Sequence, residues 1–129
     1  MNTDPPIPPA LHELEQAVME EVWARDEASV RDVMEAVNAR DAGERAYTTY
    51  MTIMARLDSK GLLVRRRQGK TNLYRAVHTR EHYADLRAGA TIDAIVEQFG
   101  EVALAHVARQ MAQLDPAHRR SLQRLASRK

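Results

Sequence analysis

Apolar side chains recur at helical spacing along most of the chain, and this spacing predicts its first three elements. The first stretch places apolar residues at i, i+3, i+7 and i+11, namely Leu11, Leu14, Val18 and Val22, with Met19 and Trp23 widening the face. Ser29 followed by Asp32 matches a capping box that opens a second helix. Its apolar stripe is Val30, Val33, Met34 and Val37.

A third helix is predicted near Tyr47 to Ser59, and Gly61 is placed to end it. Its apolar stripe is Tyr50, Ile53, Met54 and Leu57. The period then changes, because two short strand-like runs, "LLVRRRQ" and "NLYRAV", surround a "GKT" turn. We expect Leu62 and Val64 on one face of this hairpin, Arg65 and Arg67 on the other, and Tyr74 and Ala76 towards the helices.

The last third of the chain is also helical. Thr79 is a candidate cap for one helix, Gly100 interrupts the pattern, and Asp115-Pro116 is a cap and first-turn pair for a last short helix. The apolar stripe of this region is too large to bury within one protomer, so it predicts a dimer. The predicted dimerisation residues are Leu86, Ile92, Ile95, Val96, Phe99, Leu104, Val107 and Met111.

The predicted fold is mainly α with a small β-hairpin wing, a winged helix-turn-helix domain followed by a C-terminal helical dimerisation segment. Residues 1–10 are predicted to be a flexible Pro-rich lead-in, because "MNTDPPIPPA" holds four prolines. Residues 11–78 form the predicted DNA-binding domain, and residues 79–129 the dimerisation region.

Charge is distributed unevenly along the chain. The total is only +1, but residues 1–44 carry eleven acids and three bases, whereas residues 45–80 carry nine bases and the single acid Asp58. A net charge of +8 in this middle block is typical of an anion-binding surface.

The exposed face of the third helix is unusual because Thr48, Thr52, Ala55 and Ser59 stand where surface helices usually carry long charged residues. One interpretation is a neutral surface. The other, favoured by the basic block, is a face small enough to enter a major groove.

The arginines of the hairpin also have two interpretations. They either prevent edge pairing with other strands or bind phosphates, and their number favours phosphate binding. The predicted DNA-contacting residues are Thr48, Thr49, Thr52, Arg56, Ser59 and Lys60 in the third helix, and Arg65, Arg66, Arg67, Lys70 and Thr71 in the wing.

Other classes of site receive little support. The chain has no Cys, no signal peptide and no apolar run of about 20 residues, so we expect a soluble cytoplasmic protein without a membrane partner. His78 and His82 have the spacing of two metal ligands, but such pairs are usually solvated, and we expect neither metal nor cofactor. No nucleophile elbow, phosphate loop or zincin motif is present, so an enzyme is not expected.

Residues 11–78 resemble the bacterial penicillinase and methicillin-resistance repressor family. The shared pattern is L-x-x-x-E-x-x-V-M-x-x-x-W, then T-x-x-T-x-x-x-R-L-x-x-K-G, then a basic wing ending in Tyr. It is matched here by Leu11, Glu15, Val18, Met19, Trp23, Thr49, Thr52, Arg56, Leu57, Lys60, Gly61 and Tyr74.

The resemblance implies a dimeric repressor that binds inverted-repeat operators and leaves DNA on a signal. It places Thr49, Thr52 and Arg56 in the DNA-reading helix. Tyr50 departs from the small aliphatic residue usual in the family, and the Cys-rich tail of the copper-responsive branch is absent. Several relatives are cut by a sensor protease at an Asn-Phe bond, whereas Phe99 here follows Gln98, so that scissile pair does not carry over.

Two functions therefore remain. The first is a dimeric, sequence-specific transcriptional repressor that binds palindromic DNA and responds to a signalling protease or a small-molecule inducer. The second is a winged-helix interaction module that docks an acidic protein. The centre of a protein interface usually offers Tyr, Trp or Leu, so the hydroxyl-rich third helix favours DNA.

Overall fold

A computed structural model describes residues 7–40 and 44–128. The six helices in these ranges are α1 Glu13–Arg25, α2 Val30–Arg40, α3 Tyr47–Ser59, α4 Arg80–Phe99, α5 Glu101–Ala112 and α6 Pro116–Ala126. The three strands are β1 Ala28–Ser29, β2 Leu63–Gln68 and β3 Thr71–Ala76. The predicted fold class is confirmed, because three helices precede a hairpin and further helices follow it. Most of the predicted lead-in and part of the break after α2 lie outside the described residues.

Short polar side chains cap the first turns of α2, α4 and α6. Ser29 and Asp32 exchange two bonds of 3.1 Å, each side-chain oxygen accepting from the other residue's backbone N–H, which confirms the predicted capping box. The Thr79 hydroxyl accepts from the His82 N–H at 3.0 Å, and Asp115 accepts from the His118 N–H at 2.7 Å. These caps satisfy N–H groups that have no partner inside the helix.

The end of α3 is a Schellman motif. Gly61 has φ of 80°, a left-handed conformation that glycine adopts at little cost. The Gly61 N–H donates to the Asp58 carbonyl at 3.0 Å, and the Leu62 N–H donates to the Leu57 carbonyl at 2.9 Å. The turn sends both Leu57 and Leu62 into the core, so the chain enters the wing at a fixed angle.

The sheet has three antiparallel strands in the order β1-β3-β2. In the hairpin, Leu63 pairs with Ala76 and Arg65 with Tyr74. β1 was not predicted; it pairs Ala28 with Tyr74 on the other side of β3. The wing is therefore anchored by the connection between α1 and α2 as well as by the end of α3.

The prediction that Leu62 and Val64 share one face of the hairpin is wrong. Val64 is 48% exposed, whereas Leu63 is buried. The reason is that the strand begins at Leu63, opposite Ala76, so alternation carries Val64 to the outer face opposite Arg75. Leu62 is buried because it belongs to the helix-ending turn. Tyr74 is buried and Ala76 packs against the core, as predicted.

The chain divides into two compact units, Met1–Ala88 and Gly89–Lys129. The core of the first unit combines the predicted stripes with residues of the sheet and of α4, namely Val18, Met19, Val22, Ala28, Val30, Val33, Val37, Tyr50, Ile53, Met54, Leu57, Leu62, Leu63, Tyr74 and Tyr83. Tyr83 lies 5.6 Å from Trp23 between ring centroids, and the Trp23 indole N–H donates to the His78 carbonyl at 2.9 Å. The start of α4 is thus part of this core, while a domain boundary near residue 78 stays a prediction.

The second unit contains the end of α4 together with α5 and α6. Its apolar side chains are largely exposed, including Phe99 at 57% and Leu104 at 50%. Among the described residues no helix is long and apolar enough to cross a membrane.

Candidate nucleic-acid interface

The solvent-facing side of α3 carries the predicted reading residues. The structure leaves Thr48, Thr49, Thr52, Arg56 and Ser59 exposed. The opposite face consists of Tyr50, Ile53, Met54 and Leu57, all buried. Because the buried side chains fix the rotation of the helix about its axis, the short hydroxyl-bearing face is held outward.

Tyr50 is fully buried, and its hydroxyl donates to the Asn38 side-chain oxygen at 2.7 Å. Asn38 in turn donates to the Arg45 carbonyl at 3.0 Å and accepts from the Arg45 N–H at 3.2 Å. A buried hydroxyl without such a partner would be costly. The larger residue at position 50 therefore has a specific partner that joins α2 to the start of α3.

Lys60 lies directly after α3, and its ammonium lies 2.9 Å from a carboxylate oxygen of Glu15 on α1. Glu15 is buried, and it also accepts from the His12 N–H at 3.0 Å. Burial raises the pKa of Glu15, but the His12 N–H and the Lys60 ammonium outweigh burial, so the pKa is lowered from its ordinary value. Lys60, predicted to contact DNA, thus holds an internal partner at the base of the reading helix.

The wing cations fall on two faces of the hairpin. Arg65 pairs with Tyr74, and Arg67 pairs with Asn72. Both arginines therefore lie on the same face of the hairpin as the buried Tyr74. Arg66 stands on the other face, opposite Leu73. The predicted wing residues are all exposed, but their side chains do not share one surface.

Arg66 forms a two-pronged ion pair with Glu27, which precedes β1. Its Nε and one terminal nitrogen lie 2.6 and 2.7 Å from the two Glu27 oxygens. The hydrogen bond from Arg66 lowers the pKa of Glu27 from its ordinary value, which favours its charged form. Part of the wing charge is therefore neutralised within the protein.

Arg56 on α3, and Arg65 and Lys70 on the wing, are among the cations at this surface that have no ion pair within residues 7–40 and 44–128. All three are exposed. These cations can bind an anionic partner without first breaking an ion pair within the protein.

Sequence reasoning did not single out two features of this surface. Tyr47 and Met51 on α3 are 43% and 46% exposed. The exposed hydroxyl face has two edges; Thr49 and Arg56 lie along one, and Tyr47 and Met51 lie along the other. A helical wheel already places them there. The ion pairs of Glu15 and Glu27 had no signal in the spacing, because their partners lie 45 and 39 positions away; Glu15 was matched only as part of the family pattern.

The histidine pair at the start of α4 shows no metal-binding arrangement. The rings of His78 and His82 meet edge to face, with centroids 5.2 Å apart. Within the described ranges, no group of three or more His, Cys, Asp or Glu side chains is placed to hold a metal ion.

Comparison with known proteins gives one family. The model of the penicillinase repressor family matches residues 11–128. The transcriptional regulator BlaI, in two strains of Mycobacterium tuberculosis, is 41% identical to this chain over 88 residues, which is 67% of this chain and 60% of BlaI. The chain thus aligns with less than two thirds of the length of these relatives. A solution structure of monomeric Bacillus licheniformis BlaI in complex with the blaP half-operator is similar with a TM-score of 0.49 and 21% identity, covering 58% of this chain and 89% of that one.

Proposed function

The chain belongs to the penicillinase repressor family, and from this membership we propose that it is a cytoplasmic, sequence-specific DNA-binding repressor acting as a homodimer on inverted-repeat operators. The family is one of transcriptional repressors and not of enzymes, in agreement with the sequence prediction. The observation that carries the proposal is the exposed hydroxyl face of α3 beside the unpaired cations of the wing.

In this proposal α3 enters the major groove. Short hydroxyl side chains let the helix backbone approach the bases, and Thr48, Thr49 and Thr52 then contact base edges or thymine methyl groups. Arg56 reaches guanine or a neighbouring phosphate. Ser59 lies about one turn beyond Arg56 and contacts the backbone near the edge of the groove.

The wing supplies contacts that do not depend on sequence. Arg65 and Lys70 are free to bind phosphates, Arg67 can join them, and Thr71 can donate its hydroxyl at the hairpin turn. Arg66 must first exchange its Glu27 partner for a phosphate. Glu27 therefore sets how much of the wing charge is available to DNA.

Dimerisation is assigned to the apolar surface of the second unit. A groove of about 430 Å³ lies between the end of α4 and α5, and its lining includes Ile95, Phe99 and Val107. Exposed contiguous apolar surfaces of this kind mark protein interfaces. A second copy of the chain is the partner that a two-fold symmetric operator requires. We propose that a signalling protease or a small-molecule inducer releases the protein from DNA, but not by the Asn-Phe cleavage of several relatives, since Phe99 follows Gln98.

Selection of duplexes from a random library by the full-length chain tests the function. We expect an inverted repeat to be enriched, and Thr52→Ala to lose its preference for that repeat. Retention of all duplexes alike would contradict sequence-specific binding. Failure to bind any duplex, together with binding of acidic proteins, would favour the interaction-module hypothesis instead.

A further inference from the structure

Met51 occupies an exposed position on α3 where a large apolar side chain is not explained by folding. It is 46% exposed, whereas the buried stripe of the helix is complete without it. Single exposed apolar residues are common on protein surfaces. Met51, however, lies one turn from the equally exposed Tyr47 and one turn from Thr48, on the same helix that is proposed to read DNA.

The position along the helix matters as much as the exposure. In helix-turn-helix proteins the N-terminal residues of the recognition helix contact base edges. Met51 begins the second turn of α3, which starts at Tyr47. It therefore stands among the residues that would reach the bases, and not at the far end near the backbone.

The chemistry of the side chain narrows its target. A thioether cannot donate a hydrogen bond and is only a weak acceptor, so it cannot read the polar edges of guanine, adenine or cytosine. The thymine C5-methyl group is the apolar feature of the major groove. The unbranched Met side chain can adapt to that methyl group because it has three rotatable bonds.

The occupant is duplex DNA because the surroundings match its charge. Arg56 on the same helix, and Arg65 and Lys70 on the wing, are exposed cations without ion pairs in the described part of the chain. An apolar protein partner at Met51 would have to accept these cations at its rim. Duplex DNA can bind the cations through its phosphates and the Met51 side chain through a methyl group in its major groove.

We propose that Met51 is a specificity-determining residue that contacts a thymine methyl group in each operator half-site. The proposal rests on the proposed function, since it requires α3 in the major groove. It adds one apolar contact to those that Thr48, Thr49 and Thr52 are proposed to make. Met51 thereby places an apolar contact on the margin of α3 opposite Arg56.

Replacing single thymines by uracil in the selected duplex tests the contact, because uracil lacks only the C5-methyl group. We expect one thymine per half-site at which this change weakens binding of the full-length protein by about fourfold, the effect of burying one such group. Met51→Ala should bind the thymine and uracil duplexes equally. Met51→Leu, which keeps an apolar side chain, should retain the discrimination.

Val77→Ala is the matched control, since Val77 is 51% exposed and lies outside α3. It should leave the uracil penalty unchanged. Far-ultraviolet circular dichroism of each variant verifies the fold, which an exposed side chain should not alter. Two results would overturn the role of Met51 but not the proposed function. One is enrichment of a duplex whose affinity is unchanged when thymine is replaced by uracil, and the other is a loss of affinity on that replacement that persists in Met51→Ala. Failure to enrich any duplex would overturn the proposed function and this role with it.

Discussion

The ammonium of Lys60 lies 2.9 Å from the buried carboxylate of Glu15, and this ion pair joins the end of α3 to the first turn of α1. Lys60 side-chain exposure is 31%, whereas that of Glu15 is 4%. Glu15 is buried, and the hydrogen bonds that it accepts from the His12 N–H and from Lys60 lower its pKa and so favour its charged form. The pair therefore links the C-terminal end of α3 to α1.

Removing the cation should destabilise the fold. Lys60→Met leaves a buried carboxylate with one partner fewer, and we expect the free energy of unfolding to fall by about 1–3 kcal/mol. Urea titration at pH 7 measures the change. Arg31→Met is the control, since Arg31 is exposed and has no ion pair with any residue in the described ranges. Equal, small losses in both variants would contradict a structural role for the pair.

The same pair predicts a pH dependence. The folded-state pKa of Glu15 lies below its ordinary value of 4.5, so the unfolded chain binds a proton at higher pH than the folded one. The stabilisation from Glu15 is fully present above pH 4.5 and is lost as pH falls through the folded-state pKa. Glu15→Gln should therefore flatten the acid side of the stability curve measured by urea titration. An unchanged slope below pH 4.5 would contradict this assignment.

The Glu27–Arg66 pair makes a prediction about DNA affinity. Glu27→Gln removes the internal competitor, so Arg66 can bind a phosphate, and affinity should rise on all duplexes alike. The plot of log affinity against log salt concentration should steepen by about 0.9 for the added contact. Lys70→Ala should flatten the same plot by a similar amount. If Glu27→Gln leaves the slope unchanged, Arg66 does not face DNA.

Much of this architecture is readable from sequence because it is local. Apolar spacing predicts α1 to α3, and the capping signals at Ser29, Thr79 and Asp115 locate helix starts correctly. β1 escapes prediction because two residues, Ala28 and Ser29, show no alternation, and the strand exists only through its pairing with β3.

The remaining differences between prediction and structure depend on a turn and on a long-range contact, neither of which apolar spacing reveals. The Val64 placement failed because the first strand residue depends on the turn that Gly61 makes, and a shift of one residue exchanges the two faces. The exposed face of α3 is readable on a helical wheel. The commitment of Arg66 to Glu27 is not, because nothing periodic connects positions 39 residues apart.

Reading residues should affect specificity before general affinity. Thr52→Ala and Arg56→Ala should each weaken binding to the selected repeat by about 1–3 kcal/mol per half-site while leaving random duplexes unaffected. Both side chains are exposed, so neither change should alter folding. Gel-shift titration on the two kinds of duplex gives the comparison. Equal losses on both would reassign these residues to the phosphate backbone.

A single charged substitution in the second unit tests the proposed dimer interface. Phe99→Glu places a carboxylate on the apolar surface of the second unit, and we expect light scattering to report a monomer. Affinity for the inverted repeat should fall by roughly 10²–10⁴-fold, because the two halves no longer bind as one molecule. Val77→Glu, an equally exposed position in the other unit, should stay dimeric. A monomeric wild-type protein would contradict the assignment.

The ratio of two affinities, measured at one salt concentration, tests sequence-specific DNA binding most directly. The full-length protein is titrated against its selected inverted repeat and against a shuffled duplex of the same composition. The proposed function predicts binding to the repeat at least about 10³-fold tighter, as for specific regulators. A ratio within about tenfold would show that the basic surface binds DNA without reading it, and would contradict the proposed function.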